Sequence, residues 1–122
     1  MARAASKRRF SVYGSGHGEW DAMLYTDKVL NDSSRRQMWT PAKLNDGTTY
    51  PYGFGWELGS FRGRPFVHHG GGGPGVRTKF ARFVDDGLTI IILANLDDMD
   101  VDSIVYGIAG LYFPPPSPSR KQ

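Results

Sequence analysis

The sequence predicts an α+β fold: an antiparallel four-stranded sheet with a C-terminal amphipathic helix and a short N-terminal helical pair. Three observations carry this expectation. Sixteen glycines and eight prolines in 122 residues cut the chain into short segments, as turn-rich β structure requires. Strand-like runs follow one another between Tyr52 and Ala94. A 3.6-residue apolar repeat then occupies the stretch from Val101 to Tyr112. A chain of this length forms one small domain and buries roughly two-thirds of its unfolded surface.

The elements follow in order. From Glu19 the residues Trp20, Met23, Leu24 and Leu30 can share one helical face. Asn31 or Asp32 caps a second short helix ending in Met38-Trp39 and stopped by Pro41. Asn45-Asp46-Gly47 is a turn signal. Tyr52 to Leu58 is aromatic and alternating, and Gly59 to Gly63 can turn it into a strand from Pro65 to His69. Val76 to Val84 alternates, with Val76, Thr78, Phe80 and Arg82 on one side and Arg77, Lys79, Ala81 and Phe83 on the other. Asp85-Asp86-Gly87 is a hairpin turn. Leu88 to Ala94 is an unbroken apolar, β-branched run, expected to be a central strand covered on both faces. The last helix carries Val101, Ile104, Val105, Ile108, Ala109, Leu111 and Tyr112, has Asp97, Asp98, Asp100 and Asp102 at its N-terminus, and stops at Pro114.

The expected organisation is a basic, flexible arm over residues 1–18, one domain over 19–113 and a Pro-rich tail over 114–122. Gly14-Ser15-Gly16 reads as linker. The net charge of +3 sits mainly at the ends, in Arg3, Lys7, Arg8, Arg9, Arg120 and Lys121. Solvated termini account for it, so neither a nucleic-acid nor a membrane partner is expected. No apolar stretch reaches the roughly 18 residues of a membrane helix. No apolar segment follows the first arginines as in a secretory signal, which makes a cytoplasmic location the default. The chain has no cysteine, excluding disulfides and thiolate ligands.

Candidate chemistry concentrates in Val67-His68-His69-Gly70-Gly71-Gly72-Gly73-Pro74-Gly75. Glycine lets backbone approach a ligand closely, and imidazole titrates near neutral pH. His69 is the expected catalytic residue, with His68 secondary. Gly70, Gly71, Gly72 and Gly73 are the expected substrate and oxyanion-binding positions. Neighbouring strand residues point to opposite faces, so His68 and His69 do not readily hold one metal ion. No cofactor is therefore expected, the alternative being zinc held by His17, His68 and His69 brought together in an oligomer. A phosphate cradle lacks the G-x-x-x-x-G-K-[ST] signature, and an H-G-G-G segment of α/β-hydrolase type lacks a G-x-S-x-G elbow.

Four motifs in sequence resemble the C-terminal part of the serine β-lactamase-like family, which includes class C β-lactamases, penicillin-binding proteins and related esterases. They are Met38-Trp39-Thr40-Pro41, Tyr52-Gly53-Phe54-Gly55-Trp56, His69-Gly70-Gly71-Gly72-Gly73-Pro74-Gly75 and Ile90-Ile91-Ile92-Leu93-Ala94-Asn95. The resemblance runs from about Asp21 to Phe113. It implies that His69-Gly70-Gly71 stands where the family has K-T-G or H-x-G, that His69 orients substrate and proton traffic, and that the Gly72 N–H is one of two oxyanion donors. The family's nucleophile motif S-x-x-K is absent, as are Y-x-N and S-D-N. The acyl-serine mechanism is therefore not expected of this chain alone.

The resemblance also implies that strands flanking Leu88–Ala94 come from an N-terminal part that this shorter domain does not carry. The exposed sheet edge then favours a homodimer or higher oligomer. Three functions are expected: a weak ester, lactam or phosphoester hydrolase using histidine as base, a metal-dependent hydrolase, or a non-catalytic oligomerising or partner-binding domain. A small-molecule substrate fits the first two.

Overall fold

The computed structural model describes residues 14–117. Most of the expected basic arm, together with Arg120 and Lys121, lies outside the described residues. The chain divides into two compact units, Met1–Glu57 and Leu58–Gln122.

The first unit holds helices α1 (Gly14–Leu24) and α2 (Asp32–Met38) and a small hairpin of β1 (Ala42–Lys43) and β2 (Thr49–Tyr50). Helix α1 starts at Gly14 rather than Glu19, so the Gly14-Ser15-Gly16 stretch expected as linker forms its first turn. It stops at Leu24, leaving Leu30 beyond the face it was expected to share. Arg35 explains the compact link to α2. Its guanidinium donates to the carbonyls of Thr26 and Leu30, both at 2.6 Å, and to the Asp27 carboxylate at 2.9 Å. Asn31 caps α2 by accepting the Ser34 N–H at 2.8 Å. In the hairpin turn Asp46 accepts both the N–H and the hydroxyl of Thr48, which lowers its carboxyl pKa.

The main sheet has the order β3-β4-β5-β6, formed by β3 (Glu57–Phe61), β4 (Arg64–Gly73), β5 (Val76–Phe83) and β6 (Leu88–Ala94). Three short connections make it an antiparallel meander. Arg62 and Gly63, with φ of +50° and +77°, form a two-residue type I′ turn between β3 and β4. Pro74-Gly75 joins β4 to β5 with Gly75 at φ +75°. A 3-10 turn over Val84–Asp86 closes on left-handed Gly87 before β6.

Three sequence expectations are corrected. The aromatic run from Tyr52 is mostly not strand: Tyr52 makes an isolated bridge to Glu57, and β3 extends through the glycine-bearing segment to Phe61. Strand β4 continues past His69 through all four glycines, because pairing with β5 overrides their weak strand propensity. Strand β6 is at the sheet's edge rather than its centre, and only Ile90 in it is buried.

Helix α3 (Val101–Tyr112) covers one face of the sheet. Asp100 caps it, accepting the Ser103 N–H at 3.0 Å and the Ser103 hydroxyl at 2.6 Å. Val105, Ala109 and Phe113 meet Phe66, Ala81, Phe83 and Ile90 from the sheet. The Phe66 and Phe83 rings stack at 4.9 Å, and each such burial contributes about 1.5–3 kcal/mol. Leu111 and Tyr112 fit the helical period but are exposed, since they lie on the last turn. At that end Arg62 donates to the Phe113 carbonyl, and Arg64 lies over the Phe113 ring while pairing with Asp86. These cations complement the negative end of the helix.

Candidate functional site

The turns fix which way each backbone group of β4 points. A two-residue turn closes on a hydrogen-bonded pair, and such pairs alternate along an antiparallel ladder. With Gly73 opposite Val76, Gly71 opposite Thr78 and His69 opposite Phe80, these residues turn their N–H and C=O groups toward β5. Gly70 and Gly72, opposite Lys79 and Arg77, turn theirs the other way, toward the β3 side.

Strand β3 does not reach them. It has five residues against ten in β4, and the type I′ turn places Phe61 opposite Arg64 and Glu57 opposite His68. Beyond His68 no other strand among the described residues lines that edge of β4. One strand therefore has two halves. Arg64–His68 lies between two strands, and His69–Gly73 has β5 as its one neighbouring strand among the described residues and turns the Gly70 and Gly72 backbone groups outward.

The two histidines separate as alternation requires. His68 shares the helix-covered face with Phe66, and the two rings stack at 4.8 Å. A Cβ on Gly59 would come within 2.9 Å of the Phe66 ring and 3.2 Å of His68 Nε2, so glycine in β3 makes room for both. His69 is exposed on the opposite face. Its Nδ1 lies 2.6 Å from the Gly70 carbonyl oxygen. Since a carbonyl only accepts, Nδ1–H donates and Nε2 is the basic nitrogen of the ring. That carbonyl belongs to the same outward edge of β4 as the Gly72 N–H.

Four glycines carry no side chains to hold them, and neighbouring residues supply the restraint. Lys79, nearly buried, runs its methylenes past Gly70 and pairs with Asp102 of α3 at 2.8 Å. The Arg77 guanidinium covers Gly72 where a Cβ would stand. Thr78 donates its hydroxyl to the Gly71 carbonyl at 3.3 Å. Asp97 accepts the Gly75 N–H and pins the turn. Sequence reasoning named none of these supports. Counting outward from Pro74-Gly75 would have placed Lys79 and Arg77 opposite Gly70 and Gly72.

Among the described residues no group of three or more His, Asp or Glu side chains is arranged to hold a metal ion. His17 lies in α1, and His68 and His69 occupy opposite faces of β4. Among the described residues no helix is long and apolar enough to cross a membrane.

No family model matches the chain. Curated proteins do. The chain is 38% identical over 81 residues to penicillin-binding protein 4* of Bacillus subtilis, covering 65% of this chain and 18% of that protein. It is 28% identical over 104 residues to the D-aminopeptidases of Brucella ovis and Brucella melitensis, covering 84% of this chain and 20% of each. The chain thus spans about a fifth of the length of these relatives. The similarities support a relationship, over part of the chain, to the serine β-lactamase-like family, and with it a hydrolase-like domain.

Proposed function

We propose that this domain binds an acyl or related carbonyl group at the outward edge of β4 and acts, at most, as a weak hydrolase of ester, lactam or phosphoester bonds. The observation that carries the reading is the edge itself: the Gly72 N–H points outward past the end of β3, on the same edge as the Gly70 carbonyl that engages His69 Nδ1. The Gly72 N–H donates to the carbonyl oxygen where negative charge develops. His69 Nε2 takes a proton from water as the water oxygen bonds to the carbonyl carbon. The tetrahedral adduct then collapses, the bond to the leaving group breaks, and that proton passes from Nε2 to the departing oxygen or nitrogen. Water serves as nucleophile because the chain contains no S-x-x-K. One donor and one base supply only part of a full site, consistent with slow turnover.

The test is hydrolysis of activated ester, lactam and phosphoester substrates by the purified chain, with and without a chelator. Turnover that ignores the chelator and falls at least tenfold in His69→Ala supports the reading. Turnover abolished by chelator and restored by zinc replaces it with a metal-dependent hydrolase assembled between copies. No turnover on any substrate leaves a binding domain without catalysis.

A further inference from the structure

The glycine half of β4 has little of its own with which to hold its place. Gly70 to Gly73 bring no side chain to pack against the sheet, and glycine loses more conformational freedom on ordering than any other residue. Thr78 and Arg77 touch the run, but both belong to β5, the other arm of the same hairpin, and move with it. What fixes the tip of this hairpin relative to the core has to come from outside it.

The segment between β6 and α3 stands where that can be done. Strand β6 ends at Ala94, opposite Arg77, one position before the level at which β5 begins at Val76. The chain then runs beside the Pro74-Gly75 turn, and Asp97 accepts the Gly75 N–H. That N–H lies inside the turn, beyond the last ladder pair of Gly73 and Val76. A carboxylate is a strong acceptor for it, because the acceptor is charged. Further along, Asp102 in the first turn of α3 pairs with Lys79 Nζ at 2.8 Å. Lys79 stands opposite Gly70, and its Cδ and Nζ lie 3.8 and 3.9 Å from where a Gly70 Cβ would be. The two carboxylates thus meet the two ends of the glycine run. Both flank a fixed point: Asp100 caps α3 through Ser103, and Val105 and Ala109 bury the helix against Phe83 and Ile90.

We infer that Asp97 is a positioning residue for the outward edge of β4, and that Asp102 acts with it through Lys79. Together they hold the Gly70–Gly73 run in place relative to the core under α3. The tie belongs to the fold and stands whether or not the edge turns over a substrate. Its consequence for hydrolysis rests on the carbonyl site proposed above. There Asp97 touches no reacting atom; it steadies the strand that carries the Gly72 N–H and the Gly70 carbonyl.

Amide hydrogen exchange on the full chain, read by NMR in Asp97→Ala and Asp97→Asn, tests the inference. Asp97 is exposed, so neither variant disturbs the core. In Asp97→Ala the Gly71, Gly73 and Gly75 amides should exchange about tenfold faster, with Val67 on the anchored half of the same ladder unchanged. Asp97→Asn keeps an acceptor oxygen and should recover most of that protection. Asp102→Ala should speed Gly71 by a smaller factor, about threefold. Unchanged exchange in both alanine variants overturns the inference. Equal acceleration at Val67 also overturns it, because the loss is then general rather than local. An asparagine variant as loose as the alanine one does the same, by removing the acceptor role. Turnover of an activated ester is followed in parallel: kcat should fall in Asp97→Ala and return in Asp97→Asn, and an unchanged kcat with loosened glycines overturns the positioning role. A parent chain without turnover but with the expected exchange pattern supports the tie and overturns the proposed hydrolysis.

Discussion

The two halves of β4 share a strand, a partner and a twist, yet they do opposite work. In Arg64–His68 side chains make the contacts: Phe66 and Val67 are buried, His68 stacks on Phe66, and β3 and β5 flank the backbone. In His69–Gly73 the four glycines carry no side chains and, among the described residues, no strand lines the flank opposite β5, so the strand presents backbone beside the His69 ring. The difference shows how a sheet builds a recognition edge without a separate loop. A neighbouring strand ends early, and glycine clears the surface beside it.

Mutations should separate the halves by the size of their effect on stability. Phe66→Ala empties the centre of the core and should cost about 3–5 kcal/mol in a denaturant titration. Gly59→Ala crowds the Phe66 ring and His68 from β3, and should cost about 1–3 kcal/mol. Across the boundary the cost should fall. In Gly71→Ala the new Cβ comes within 2.7 Å of Thr78 Oγ1, displacing one hydroxyl at a loss of about 1 kcal/mol. His69→Ala, at an exposed site, should change stability by less than about 0.5 kcal/mol while removing any hydrolysis. A His69→Ala variant as damaged as Phe66→Ala would erase the distinction between anchoring and presenting halves.

The smallest effect lies outside the strand and depends on pH. The Asp100 carboxyl is held below its ordinary value of 3.8 by the Ser103 hydroxyl and N–H that it accepts at the start of α3. A depressed folded-state pKa stabilises at neutral pH, and that contribution disappears as pH falls below 3.8 through the folded value. Asp100→Ala should therefore weaken α3 slightly at neutral pH and flatten the acid loss of its helical signal in circular dichroism. An acid transition of unchanged shape in the variant would place the sensitivity elsewhere.

The parts of this fold legible in the sequence are those whose signals are local. Helix α3 is bounded by Asp100 and Pro114 and filled by a regular period, and it lies where those residues place it. The alternation of β5 sorts its side chains between faces as expected. The position of β6 was not legible, because an uncharged β-branched run has the same composition at a sheet's centre or its edge, and topology alone decides. The glycines of β4 resemble a loop by propensity, and only their register against β5 shows them to be strand. For the site, residue identity marked His69 and Gly72 as candidates. The outward direction of Gly72 depends on two turns and on the shortness of β3, which are visible only when the strands are set side by side.

The proposed carbonyl site depends on that direction, and hydrogen exchange along β4 measures it residue by residue. The predicted pattern is protection of Phe66, His68, His69 and Gly71, with Gly70 and Gly72 exchanging fast between their slow neighbours. Protection of Gly70 and Gly72 equal to that of Gly71 would mean the edge is closed, and the carbonyl site proposed there would not exist.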